Sequence, residues 1–388
     1  MNLVPHVIRV NAVALKEWRE LTRDRMFLSL AFVLPVLWMV MFGYGLVLDV
    51  ENIPLMALDQ DGSALSRDYL YQFVDSRYFH YQGSLNNVKE ADSLLERGMA
   101  RAVIFIPEKF QERLMTGLPA SVQILIDGTF PLQTDITKGY IIAINHAFSQ
   151  RMLVDYLARS RGMARERAQA LVQPVRLEVR YLYNQEVKSI WAMAPGLIMF
   201  SLMFSAPLLT ALGVVREKER GSIYNIYSST LTRLEFLLGK LAPYVLISLF
   251  NTMVLWMLAR YLFGVPFKGD LLFFSLASIV FVLCCTAMGL LISLLVHNQM
   301  AALVITIVLT TVPTFLFSGF ITPVSSLSPG AQIQAHLFPG MYYTDIVRSG
   351  FLKGLGFETL APKLWALMVY TGLLFLWSYC LFHKRPKV

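Results

Sequence analysis

"VVREKERGSIYNIYSSTLTRLEFLLGKL", residues 214–241, packs charges of both signs into a short polar stretch between two long apolar runs. Before it, no Asp, Glu, Lys or Arg occurs from 189 to 215; after it, none occurs from 241 to 259. A bilayer-crossing helix needs ~20 apolar residues, so the stretch reads as a loop joining two membrane spans. The same test succeeds at 26–48, twice within 271–344, and at 364–383. With 56% hydrophobic and 15% charged residues, the chain is too apolar for an ordinary soluble protein of 388 residues. Six spans are predicted, at 26–48, 190–215, 236–262, 271–296, 300–320 and 364–382. The first is not read as a cleaved signal peptide, because an amphipathic segment (1–25) precedes it and its apolar run exceeds an h-region.

Lys and Arg in the short loops set the orientation. With the N-terminus inside, the inner segments 1–25, 216–235 and 383–388, with the adjoining Lys240, carry thirteen of them and the outer short loops five. Both termini are therefore expected in the cytoplasm, with 49–189 and the segment 321–363 outside. The 49–189 stretch nearly balances its charges, so the net charge of +8 belongs to the membrane part. Positive-inside bias accounts for that charge, and no nucleic-acid partner is expected. Cys284, Cys285 and Cys380 all fall in predicted spans, with no disulfide or zinc spacing. The absence of any Asn-x-Ser/Thr site fits a bacterial cytoplasmic membrane.

Within 49–189 the pattern changes to short β-rich runs alternating with helical ones. "IPLMALD" (53–59), "ARAVIFIP" (100–107), "ASVQILIDGT" (120–129) and "VRLEVRYLY" (175–183) read as strands, and a long helical stretch carries Ile141, Ile144, Phe148 and Met152 on one face. This is an inserted extracytoplasmic α/β domain, large enough for its own core. Its possible catalytic groups are Asp59, Asp61, Asp127, His80 and His146. Turn chemistry accounts for the three aspartates, and no nucleophile elbow or His-Glu-x-x-His motif occurs. No catalytic or metal-ligating residue is assigned, and a gate or docking surface is expected instead.

Ion-coupled transporters place ionisable groups near the bilayer midplane, and the spans contain none there. Nor is there a charged ring or carbonyl filter for a pore. The chain has no phosphate loop, since Gly239-Lys240 lacks the first glycine and the hydroxyl residue of that motif. Any energy source must lie on a separate subunit.

In the opening stretch Ile223, Ile226, Tyr227, Leu231 and Leu234 recur at helical spacing. Gly221 interrupts the helix leaving the second span, Ser222 can cap the next, and "TRLE" (232–235) matches a capping box before the third. A short amphipathic helix suits a groove on a soluble partner; the alternative is an interfacial helix with snorkelling charges.

At Arg216, Glu217, Lys218, Glu219, Gly221 and Ser222, then Glu235, Gly239 and Lys240, the chain resembles the ABC-2 family of ATP-binding-cassette transporter permeases. "KEWRELTRDR" (16–25) is similar to that family's connecting helix, and "LPVLWMVMFGYGL" (34–46) to its first span. "ALDQDGSALSR" (57–67), "FIPEKF" (105–110) and "LIDGT" (125–129) resemble the external domain of its drug-exporter-like branch. "FSGFITPVSSLSP" (317–329) and "LFPGMYYTDIVRSGFLKG" (337–354) resemble the end of the fifth span and a re-entrant segment. Ser229-Thr230 stands where the family often has threonine-proline, removing a helix stop.

The resemblance implies a six-helix, type V exporter-like membrane domain acting as a half-transporter. A second permease chain and a cytoplasmic ATPase dimer, which would use ATP and Mg while this chain binds neither, complete the assembly. A periplasmic adaptor and membrane lipids are further expected partners, and a hydrophobic or amphipathic, drug-like or lipid-like molecule the expected cargo. Arg216 to Ser222 (with Arg220) and Glu235 are the expected ATPase-coupling residues. Met199, Phe200, Met203, Phe204, Thr310, Thr311, Thr314 and Phe315 are candidates for the pathway, though helix packing explains them equally. Pro339, Gly340 and Arg348 are candidates for an outer gate. The alternative reading is a membrane-anchored sensor whose exterior domain binds a ligand.

Overall fold

The computed structural model describes residues 4–45, 50–175, 179–222 and 231–382. The amphipathic segment holding Ile223, Ile226 and Tyr227 therefore lies outside the described residues, as do Ser229, Thr230 and the tail 383–388. The chain divides into two compact units: a membrane unit of residues 1–47 and 181–388, and an inserted unit of residues 48–180.

The membrane unit begins with helix α1 (Val4–Arg23). Among the described residues six helices long and apolar enough to cross a bilayer follow: Arg25–Gly45, Ser189–Glu219, Arg233–Leu262, Leu271–Leu295, Gln299–Phe317 and Phe357–Leu381. They are called spans one to six below. Span two is the axis, buried along its whole apolar window, whereas only 28%, 22% and 17% of the windows of spans one, five and six are buried. Span two runs on through its charged end to Glu219, and span six starts at Phe357, where Glu358 and Lys363 occupy its first two turns. Between spans five and six a helical hairpin forms from Pro329–His336 and Pro339–Arg348, each opening on a proline, whose fixed φ and missing N–H suit a first helical turn.

Spans one, three and five each contain a π-helical turn, at Ser29–Val33, Leu258–Leu262 and Ile307–Thr311. In spans one and five a proline follows two residues later, Pro35 and Pro313. A proline cannot donate to the carbonyl four residues back, and its ring crowds that carbonyl, so the turn widens. In span one the stranded acceptor is Ala31, and Asn251 of span three donates its Nδ2 to it at 2.5 Å. In an apolar environment an orphaned carbonyl costs several kcal/mol, so this side chain repairs the break.

The inserted unit is a four-stranded sheet in the order β2-β1-β3-β4, built from β1 (Ile53–Asp59), α2 (Ala64–Val74), β2 (Phe79–Ser84), α3 (Val88–Glu96), β3 (Ala102–Ile106), α4 (Phe110–Met115), β4 (Gln123–Ile126), α5 (Pro131–Arg161) and α6 (Arg165–Val172). β1 pairs parallel with β2 and β3, and β3 pairs antiparallel with β4. Alternation along β3 explains the layering: Ala102, Ile104 and Ile106 face a core with Tyr69, Phe73, Phe110 and Phe148, while Val103 faces a smaller one with Ala91 and Leu94 of α3. The predicted fourth strand at 175–183 differs: Arg176 to Glu178 lie outside the described residues, and Val175 and Val179 to Tyr183 form no strand. Their apolar side chains are exposed, with Val175 at 83%, so the alternation is present without a neighbouring strand to pair it.

Candidate functional site

The charged run that closes span two divides its residues among different neighbours. Arg216 donates to Asp24 at 3.0 Å, lies 3.5 Å from Glu20, and stacks over the Phe27 ring at 4.3 Å. Glu217 accepts from Lys16 of α1 at 2.6 Å and sits 3.1 Å from Lys240 of span three. Lys218 donates to the carbonyls of Ser293 and Val296, at 2.5 and 3.2 Å, at the C-terminal end of span four, where the helix dipole favours a cation. Glu219 accepts from the backbone and side chain of Gln299, at 2.6 and 2.5 Å, at the start of span five, where the dipole favours an anion. Four consecutive residues thus tie the end of span two to α1 and to spans three, four and five. Arg220 is exposed. Gly221 adopts a φ of 72°, the left-handed turn that ends the helix, and Ser222 donates back to the Glu217 carbonyl at 3.4 Å.

The centre of this network is deeper. Lys240 and Glu17 are both essentially inaccessible and pair at 2.5 Å. Tyr244, one turn along span three, donates its hydroxyl to the other Glu17 oxygen. Gly239 permits the approach: a β-carbon there would stand 2.7 Å from the Val10 carbonyl oxygen and 2.8 Å from the Val13 side chain, so any larger residue would push α1 away. Burial works against the Lys16 charge, but the bond and charge of Glu217, with Glu20 and Glu17 nearby, outweigh it and hold this lysine above its ordinary pKa.

Glu17, Glu20 and Glu217 bring carboxylate oxygens within 4.8 Å of one another, the spacing of a metal cluster. Lys16, Lys240 and Arg216 neutralise them from within the chain, so their chemistry is that of an ion-pair network.

Glu235 closes the same face. It forms the capping box with Thr232, accepting from its backbone N–H at 2.6 Å and donating its own to the hydroxyl at 3.2 Å. Its carboxylate also meets His6 at 2.6 Å and Arg9 at 3.6 Å, both on α1. Glu217, Glu235, Gly239 and Lys240 all engage α1, which lies against span three along its length.

Lys240, Glu17 and Tyr244 were not singled out from sequence as a unit, yet a signal was there. Glu17 falls on the apolar stripe of α1, four residues from both Val13 and Leu21, and Lys240 falls four residues from both Phe236 and Tyr244. A charge centred on a buried stripe needs a partner of opposite sign.

Six of the candidate pathway residues are buried inside this unit, and Thr311 and Phe315 are partly buried. Met199 and Met203 are in the main core, Phe204 belongs to a second one, and Phe200 is buried as well. Phe200 sits in an aromatic cluster, 5.7 Å from Phe42, Trp38 and Phe315 and 5.8 Å from Phe320. Sequence reading missed Trp38, Phe42 and Phe320 because they come from other segments. Thr310 and Thr314 turn their hydroxyls onto carbonyls one turn back, at 2.8 and 2.5 Å; the Thr311 hydroxyl is buried with no hydrogen-bond partner among the described residues. Pro339 and Gly340 are buried against span two, with Met199 Sδ 3.2 Å from where a β-carbon on Gly340 would lie. Arg348 donates to the carbonyls of Gly319 and Phe320, at 3.1 and 3.0 Å, and so pins the hairpin to the end of span five.

In the inserted unit Asp59 accepts from the backbone of Asp61 and Gly62, each at 3.0 Å, and from Ser66 at 2.6 Å. Asp127 accepts from Thr129 in the same manner. These are turn and cap contacts, and His80 and His146 are exposed.

Residues 25–379 match the family model described as ABC-2 family transporter protein. The chain belongs to this family. The "Probable multidrug ABC transporter permease YbhS" of Escherichia coli (strain K12) is 28% identical over 347 residues, 89% of each chain. "Probable multidrug ABC transporter permease YbhR" of the same organism is 25% identical, covering 95% of this chain and 97% of the relative. "Inner membrane transport permease YhhJ", also from E. coli K12, is 24% identical over 98% of both. This ABC-2 protein is therefore a multi-span membrane permease with an α/β domain inserted between its first two spans.

Proposed function

We propose that the chain is half of the translocation unit of an ABC exporter for hydrophobic or amphipathic molecules, driven by a separate ATPase dimer at the face carrying Arg216 to Glu235. That face is cytoplasmic on this reading, with both termini on the same side and the inserted domain on the other. A second permease chain, identical or homologous, completes the pathway. ATP and Mg are handled by the ATPase.

The observation that carries the proposal is the network joining α1 to spans two to five. A force on the loop after span two would reach α1 through Glu217–Lys16 and Glu235–His6, span three through Lys240, span four through Lys218 and span five through Glu219. Buried ion pairs hold their geometry because breaking one exposes a charge to a medium that cannot solvate it, so the elements move together. Arg220, exposed beside this clasp, is free in space to meet the partner, whereas Glu217 serves inside the chain.

The test is purification of the tagged protein in mild detergent with its companions identified by mass spectrometry, followed by ATPase assays. Arg220→Glu should weaken recovery of a P-loop ATPase. The double replacement Glu17→Met/Lys240→Met, which strands neither charge of the pair, should leave that recovery intact while removing the dependence of ATP hydrolysis on the permease. Recovery of the intact chain with no ATPase would overturn the proposal and favour a ligand sensor.

A further inference from the structure

The inserted domain contains a hollow that the transport reading leaves unused. It lies between α5, strand β4 with the residues that lead into it, and α4, with a volume of about 680 Å³. That is within the ~300–1,000 Å³ typical of small-molecule sites. Its walls are aliphatic and aromatic, including Phe110, Leu114, Val122, Ile142, Phe148 and Met152. Among the described residues lining it no acid occurs, and Lys138 is the one charged group.

Lys138, Ile142, Asn145, Ser149 and Met152 follow one another at helical spacing along α5, so the cation stands at one end of an apolar strip. Lys138 is exposed and has no hydrogen bond or ion pair among the described residues. Two arginines of the domain are tied to acids, Arg151 to Asp68 and Arg165 to Asp155, each at 2.7 Å, whereas no described acid stands against Lys138 and the ammonium is open to a ligand in the hollow. Midway along the strip, the Asn145 Oδ1 accepts from the buried Tyr69 hydroxyl at 3.2 Å. That bond occupies the amide oxygen and leaves its two N–H donors without a hydrogen-bond partner among the described residues. An apolar wall, one unpaired ammonium and a held amide donor complement a molecule with a hydrophobic body and a single negative end. Cation and donor would take the anionic group and the strip the hydrocarbon.

We infer that this hollow is a binding site for an amphipathic organic anion. The inference stands apart from the ATPase reading, since nothing in it depends on energy coupling.

The full chain is placed in lipid nanodiscs with Cys380→Ser, which removes the exposed native thiol, and Ser149→Cys carrying a polarity-sensitive fluorophore. Laurate and dodecyltrimethylammonium are the probes, equal in chain length and opposite in charge. Laurate should give a saturable blue shift with an apparent affinity about threefold to fivefold better than the cation, the scale of one solvated charge pair. Lys138→Glu, a change at an exposed position that leaves the core untouched, should reverse that order. Ile142→Glu, which sets an acid on the exposed apolar strip, should weaken laurate with Lys138 retained. The same fluorophore at Asp92→Cys, on α3 across the sheet, should show no saturable response. Equal affinities for the two probes, an order unchanged by Lys138→Glu, or an equal response at position 92 would each overturn the inference.

Discussion

Lys240 and Arg151 are each a basic residue held by an acid at hydrogen-bond distance, 2.5 Å from Glu17 and 2.7 Å from Asp68. They differ in surroundings. The first pair is sealed between α1 and span three; the second has both side chains more than a third exposed. Water solvates either half of the exposed pair when it breaks, so the bond adds little, whereas a broken buried pair leaves the sealed network with an excess charge that water cannot reach. The membrane unit therefore spends its charges on architecture, and the inserted domain relies on its two apolar cores.

The largest effect expected from this contrast is at the buried pair. Lys240→Met or Glu17→Gln should each destabilise the membrane unit by about 3–5 kcal/mol, because each leaves the buried network one charge out of balance. Thermal unfolding in nanodiscs measures it, and the double replacement Glu17→Met/Lys240→Met should recover much of the loss. Single variants as stable as the parent would end the distinction drawn here. A smaller loss, about 1–3 kcal/mol, is expected for Asn251→Leu, which orphans the Ala31 carbonyl left without a donor by Pro35. Gly239→Ala should cost about 1–3 kcal/mol through overpacking against Val10 and Val13, with α1 becoming more susceptible to trypsin at Arg19 and Arg23. The smallest effect, under about 1 kcal/mol, is expected for Asp68→Ala in the inserted domain, read by the same melt. A large loss there would show that surface pairs hold this domain after all.

The spans were legible because a membrane helix declares itself in one uninterrupted apolar run, and its neighbours need not be known. The strands at 53–59 and 100–107 were legible for a similar reason, as β-rich runs bounded by turn residues. The same rule failed at 175–183, where a sound alternation has no strand beside it among the described residues. Alternation reports a potential partner and not its presence.

The candidate site was half legible. Arg216 to Ser222 and Glu235 stood out as a polar island, and the capping box of Thr232 and Glu235 could be read from spacing alone. The duties of those residues could not be read that way. The family resemblance marks Glu217 as a coupling residue without naming its neighbours, and only the fold brings Lys16, 201 positions away, and Lys240 against it.

Local hydrophobicity, turn residues and the Lys/Arg pattern by themselves determined that this protein has six membrane-length helices, an α/β insertion after the first, and a charged loop after the second. Those are properties of neighbouring residues and of solvent. Only the tertiary structure decided that α1 lies on span three, that Glu17 meets Lys240 across 223 positions, and that Lys138 fronts an apolar hollow. Such pairings depend on which helix faces which, a choice made by packing between distant segments that no window along the chain contains.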